Sequence, residues 1–254
     1  MAHRGNQTVA PENTLPALKS TVNLEIDVIE TDIHLTKDKE LILFHDDKLD
    51  RTTNLKGFII DFNLDELKEA DTGYRFSLDS GKTFPFRGKG LHVISLREAF
   101  EEFPNIKFNL DIKNLESDVP KLLAKLIIEY NRIQSVIVGS FHHNQIQRFR
   151  KLLPAVATSA SPPEVKKFLI FNKLRLAKIL IPQYLVFQVP IIHNNTKIIT
   201  KNFVKMAHSK NIAVHVWTIN KRQDMEWLIE IKVDGIFTDK PEILIDLLKT
   251  KRLI

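Results

Sequence analysis

The 254-residue chain contains no cysteine. That absence excludes a disulfide framework, a thiolate metal site and a cysteine nucleophile in one stroke. No uninterrupted apolar run approaches the roughly 20 residues that span a bilayer as a helix, and the N-terminus has no basic segment followed by an apolar one. A soluble, cytoplasmic protein is the expectation. A long basic block and a stacking-aromatic motif are also missing. The formal charge of +6 is spread over Lys and Arg interleaved with Asp and Glu, so no nucleic-acid partner is expected and attraction of a small phosphorylated molecule fits better. There is no Ser/Gly/Pro-rich linker and no internal repeat. Its 43% apolar content is ample for a core, and the chain reads as one domain, residues 1–254.

What is present is an alternation. Short β-rich runs at Val28–His34, Leu41–His45, Lys107–Ile112, Ser135–Ser140, Val156–Ser159, Leu185–Val189, Ala213–Thr218 and Gly235–Thr238 alternate for the most part with amphipathic helical stretches. The pattern predicts an α/β fold with a parallel sheet and helices outside. Asn13 is expected to cap the first helix, whose first turn tolerates Pro16. Only residues 47–93 break the rhythm. They are too long for a strand-to-helix loop and rich in Gly, Arg and aromatics, which suggests a small inserted subdomain at one mouth of a barrel. Tyr74, Phe76, Phe84 and Phe86 are its expected core.

The stretch "DVIETDIHLT" places carboxylates where a buried strand would carry aliphatics. With period two, Ile29, Thr31, Ile33 and Leu35 share one face, and Val28, Glu30, Asp32 and His34 the other. "IKFNLDIKN" repeats this, with Asn109, Asp111 and Lys113 opposite Phe108, Leu110 and Ile112. If the apolar faces meet the helices, three carboxylates and a lysine point inward. Carboxylates two apart on a strand lie about 7 Å from each other, which costs roughly 2 to 3 kcal/mol of repulsion at an effective dielectric near 20. A hard divalent cation such as Mg²⁺ or Ca²⁺ would offset it. Plainer readings stand beside this one: Glu-x-Asp as the wet face of an antiparallel sheet, Lys113 as an ion-pair partner of Asp111, His45 as a loop histidine. His34, His92, His142, His143, His193 and His208 read as surface or packing residues, and His215 as structural. Yet Glu30, Asp32, His45, Asp111, Lys113 and Trp217 all fall near C-terminal ends of predicted strands, where barrel active sites assemble.

"AHRGNQTVAPENTLPAL", "DVIETDIHLT", "LILFHDDKLDRTT", "LDIK", "VHVWTIN" and "GIFTDKP", in this order across essentially the whole chain, resemble the glycerophosphodiester phosphodiesterase family. The resemblance implies a (β/α)₈ TIM barrel that hydrolyses glycerophosphodiesters to glycerol 3-phosphate and an alcohol, using a divalent cation and a cyclic phosphate intermediate. It makes His3 and His45 the acid/base pair, Glu30 and Asp32 metal ligands, Arg4 and Lys113 phosphate contacts, and Trp217 a pocket wall. Asp111 stands where the family usually has Glu, as in the related sphingomyelinase D type phospholipases, and is kept as a ligand, directly or through water. Family members usually carry a strand ahead of "AHRG"; here the chain starts at Met1, so the first barrel strand is expected to be cut away, with His3 and Arg4 on a frayed end. Two other activities share the architecture: a phosphodiesterase acting on lysophospholipids, and a non-catalytic binding paralogue.

Overall fold

The computed structural model describes residues 1–174, 176 and 179–253. Eight parallel strands form its inner ring, among the described residues: β1 (Ala2–His3), β2 (Val28–Leu35), β4 (Lys107–Ile112), β5 (Val136–Gly139), β6 (Ala157–Thr158), β7 (Val186–Val189), β10 (Ala213–Val216) and β11 (Gly235–Ile236). Outside the ring lie β3 (Leu41–Leu43), the hairpin of β8 (Ile192–His193) and β9 (Thr196–Lys197), and the short α2 (Leu64–Lys68); the ladders run β1-β2-β4-β5-β6 and β7-β10-β11. Two parallel bridges, Ser159 to Val186 and Ala2 to Thr238, join these arcs into a closed barrel. A helix follows each barrel strand: α1 (Leu15–Asn23), α3 (Leu96–Glu102), α4 (Val119–Glu129), α5 (His143–Leu152), α6 (Pro162–Lys173), α7 (Lys201–His208), α8 (Arg222–Glu230) and α9 (Pro241–Thr250). Closure removes the open sheet edges that would otherwise invite aggregation.

The alternation on the strands is resolved as the period-two pattern requires. Ile29, Ile33, Phe108, Leu110 and Ile112 are fully buried in one core with Leu18, Phe100, Leu123, Ile127 and Phe149 of the helices. The other arc builds a second core, where Phe187, Val214 and Val216 meet Phe168, Phe203, Met225 and Leu228. Burying each such side chain is worth roughly 1.5 to 3 kcal/mol. With the apolar faces committed to the helices, the inward faces are free to carry polar groups. Helix starts are set locally: Ser95 and Glu98 form a reciprocal cap on α3, and Ser161 and Glu164 do so on α6.

Four expectations need correction. The N-terminal end is not frayed: β1 is two residues long, yet paired on both sides. Ala2 and His3 register against Ile29 and Glu30, while His3 N–H donates to Thr238 O at 3.0 Å and the Met1 amine to Ile236 O at 2.9 Å. The run from Leu41 is not a barrel strand either. β3 (Leu41–Leu43) turns back antiparallel on β2, so His45 lies at the end of a hairpin. Asn13 does not cap α1, which starts after Thr14 without a side-chain cap; instead Asn13, at φ 54°, accepts a 2.7 Å hydrogen bond from Thr31. Finally, the core under residues 47–93 is mainly aliphatic and continuous with β3: Ile42, Phe44, Leu49, Ile59, Leu67, Ala70 and Val93. Tyr74, Phe76, Phe84 and Phe86 are half-buried. The Phe76 and Phe86 rings meet edge-on, and Arg87 covers Tyr74 and Phe84, its guanidinium 3.8 Å from the Phe84 centroid.

Candidate active site

At the C-terminal mouth the chain leaves β1 through Arg4 (φ 57°) and Gly5 (φ 85°). A Cβ on Gly5 would stand 2.9 Å from the Ala17 Cβ, so only glycine lets this turn lie against α1. Arg4 N–H donates to Glu30 O at 2.8 Å and Asn13 N–H to Arg4 O at 2.9 Å. These bonds hold the side chains of His3 and Arg4 beside the acidic face of β2.

That face is where the predicted residues meet. Asp32 and Asp111 are register partners on adjacent strands. The Lys113 ammonium bridges them, 2.8 Å from Asp32 Oδ1 and 2.6 Å from Asp111 Oδ2. Arg4 Nε lies 3.4 Å from the other oxygen of Asp32, and Arg4 Nη1 donates to Glu12 at 3.2 Å. His3 is the register partner of Glu30, with Nε2 3.9 Å from Glu30 Oε2. Burial, then the charges of Asp32 and Asp111, push the Glu30 carboxyl well above the usual carboxylate range. Burial also raises Asp111. For Lys113 burial opposes the charge, but Asp111 and Asp32 outweigh it and hold the ammonium above the ordinary lysine value.

The donor chemistry suits a hard cation. Glu30, Asp32 and Asp111 supply carboxylate oxygens. Asp32 Oδ2 is buried without a hydrogen bond to protein, and burial, with repulsion from Asp32 and Asp111, keeps Glu30 from ionising readily. Among the described residues, however, no three His, Asp or Glu side chains are gathered tightly enough to enclose an ion. Lys113 and Arg4 lie among the carboxylates instead.

The two candidate acid/base histidines share a device that the sequence reading missed. His3 Nδ1 donates to Asp239 Oδ1 at 2.6 Å, and His45 Nδ1 to Asp46 Oδ1 at 2.5 Å. In each case a carboxylate fixes the tautomer with the proton on Nδ1 and leaves Nε2 available. Burial works against the charge of Asp46, but hydrogen bonds from Arg51 and His45 hold it down to about 2. Asp239 is likewise lowered, by His3 and Asn220 against burial. Asp46 was signalled by its place directly after His45 in "FHDD". Asp239 was signalled by "TDKP" at the end of the last strand. Glu12, in "PENT", was legible only as part of a motif; it receives Arg4 on one side and Arg51 on the other.

Trp217 sits half-buried at the end of β10, before a cis peptide bond to Thr218. Its ring meets the exposed Phe141 edge-on at 5.9 Å, and the Phe141 centroid is 5.6 Å from Lys113 Nζ. Phe141 thus stands with Trp217 beside Lys113, though nothing in the sequence around it marked the position. His34 is buried and donates from Nε2 to His45 O at 3.1 Å, a packing role as expected. His215 is structural: burial holds it down to about 4, and its ring packs on Phe237. A cleft of about 410 Å³ lined by Gln147, Lys167, Phe168 and Tyr184 lies elsewhere and contains none of these groups.

A closed parallel barrel with two aspartate-backed histidines and interleaved carboxylates and cations at its C-terminal mouth defines a class: barrel hydrolases acting on anionic substrates. A sequence profile described as the Glycerophosphoryl diester phosphodiesterase family matches residues 3–243. A glycerophosphodiester phosphodiesterase of Caldanaerobacter subterraneus subsp. tengcongensis is 33% identical over 98% of this chain and 97% of its own. The fold is shared with the glycerophosphoryl diester phosphodiesterase domain of Rv2277c from Mycobacterium tuberculosis, at TM-score 0.85 and 14% identity over 97% of this chain and 98% of that one. An Oleispira antarctica phosphodiesterase, solved with sn-glycerol-3-phosphate, matches at TM-score 0.76 and 22% identity over 98% and 95%. The chain belongs to the glycerophosphoryl diester phosphodiesterase family and is a phosphoric diester hydrolase acting on glycerophosphodiesters. The family is in general dependent on a divalent metal. No described helix is long and apolar enough to cross a membrane.

Proposed function

We propose that the protein releases glycerol 3-phosphate from small glycerophosphodiesters with His3 and His45 as its acid/base pair. The observation that carries this reading is the matched pair of His–Asp dyads on one barrel mouth, flanking the acidic face of β2. A phosphodiester is anionic and resists attack. Arg4 and Lys113 contact its non-bridging oxygens and neutralise charge that grows as the phosphorus is attacked. One histidine takes the proton of the substrate's own 2-hydroxyl as that oxygen bonds to phosphorus. The other gives a proton to the departing alcohol oxygen, leaving a five-membered cyclic phosphate. Water then opens the ring with the two roles exchanged. Glu30 and Asp32, with Asp111 directly or through water, would hold a Mg²⁺ or Ca²⁺ ion, which supplies further charge stabilisation at phosphate oxygens. Trp217 and Phe141 bound the pocket.

Residues 1–254 act as a single catalytic domain with 47–93 as an insertion. A cytoplasmic location, a small-molecule substrate and no nucleic-acid partner complete the reading. The test is formation of sn-glycerol 3-phosphate from glycerophosphocholine by chelator-treated enzyme, before and after Mg²⁺ or Ca²⁺ is restored. Restoration of activity by the ion is expected, and Asp32→Asn should abolish both turnover and the calorimetric heat of ion binding. Undiminished ion affinity in Asp32→Asn would sink the ligand assignment. Release of lysophosphatidate from lysophosphatidylcholine, with glycerophosphocholine untouched, would move the substrate class.

A further inference from the structure

One arginine outside the assigned set stands between the two arms of the site. Arg51 makes four hydrogen bonds to carboxylates: Nε and Nη2 to Asp46 at 2.6 and 3.1 Å, and Nη1 and Nη2 to Glu12 at 2.9 and 2.7 Å. Asp46 in turn holds His45, and Glu12 holds Arg4. We propose that Arg51 is a positioning residue that fixes His45 through Asp46, using the half-buried Glu12–Arg4 pair as its anchor. The proposal rests on the reading of His45 as a proton-transferring group.

Four observations lead there. His45 and Asp46 follow a hairpin strand and lie outside the barrel ladder, so the backbone alone does not fix their side chains. Arg51 is the group that locks Asp46, because both Asp46 oxygens accept from it. It is not a phosphate ligand, since two carboxylates already engage four of its five N–H groups and outweigh its charge. Its side chain is 47% exposed, and exposure to water limits what its ion pairs add to stability. What a planar fork on two carboxylates supplies is orientation, which an ammonium does not reproduce.

The experiment is a double-mutant cycle on kcat for glycerophosphocholine, with Arg51→Met and His45→Ala singly and together. Arg51→Met should lower kcat about 10- to 100-fold with a smaller change in KM, the scale of a displacement near 1 Å. Arg51→Lys, which keeps the charge and serves if the Met variant folds poorly, should recover only a small part. In the His45→Ala background Arg51→Met should cost less than about threefold, because the group it orients is gone. A kcat for Arg51→Met within about twofold of wild type, or an equal loss in both backgrounds, would overturn the proposal. Wild-type turnover in His45→Ala alone would overturn the reading of His45 itself, so the two failures are told apart by the single variant.

Discussion

His3 and His45 carry the same dyad but are supported in opposite ways. His3 stands in a strand with neighbours on both sides, 17% exposed, and its position follows from the β1 ladder to Glu30 and Thr238. Asp239, its partner, is itself fixed by Asn220 and Gln7. His45 is 34% exposed and lies past the end of a hairpin. Its orientation comes from side chains, through Asp46 and Arg51. A barrel can therefore place one histidine by backbone register and a second by a charged network, and the two should fail differently when disturbed.

The largest contrast is expected between the two aspartates. Asp46→Asn weakens the grip on His45 and on Arg51 together, whereas Asp239→Asn leaves His3 in a paired strand beside Gln7. Asp46→Asn should lose about 10² in kcat and Asp239→Asn clearly less, read from steady-state kinetics of each purified variant. Equal losses would erase the distinction between register and network.

Proton linkage gives a smaller and opposite pair of signatures. Asp46 is held below its ordinary value of 3.8, at about 2, so the stability it contributes is present above pH 3.8 and is lost as pH falls through about 2. Glu30 is raised above 4.5 by burial and its carboxylate neighbours. It favours the fold below that pH and ceases to do so as pH rises through its elevated value. In urea unfolding with chelator present, the gap between wild type and Asp46→Asn should narrow toward pH 2. Glu30→Gln should gain on wild type as pH rises above 4.5. Parallel curves for all three proteins would contradict both assignments.

Much of this contrast was legible in the sequence, and where it was not the reasons are local. Period two on "DVIETDIHLT" and "IKFNLDIKN" separated core from site because a strand face is either covered by helices or not. The motif spacing brought His3, Arg4, Glu30, Asp32, Asp111 and Lys113 to one mouth. β1 escaped notice because two residues carry no periodicity; its pairing comes from Ile29 and Thr238, far off in the chain. β3 was misread because a strand of Leu41, Ile42 and Leu43 says nothing of its direction, and the tight turn at 36–40 sends it back. The aromatics of residues 74–86 suggest a core because rings bury easily, yet Arg87 covers Tyr74 and Phe84, and aliphatics from both sides of the insert fill the space beneath. Phe141 and Arg51 act through tertiary neighbours, and single-residue patterns do not report those.

The proposed pairing of His3 and His45 as opposed acid and base on this mouth has a direct readout. The pH dependence of kcat/KM for glycerophosphocholine, between pH 5 and 9, tests it most directly in wild type, His3→Ala and His45→Ala. The account predicts a bell for wild type, a loss of about 10² to 10⁴ in each variant, and one limb of the bell removed by His3→Ala and the other by His45→Ala. Both variants keeping the full bell, or either keeping wild-type turnover, would contradict it.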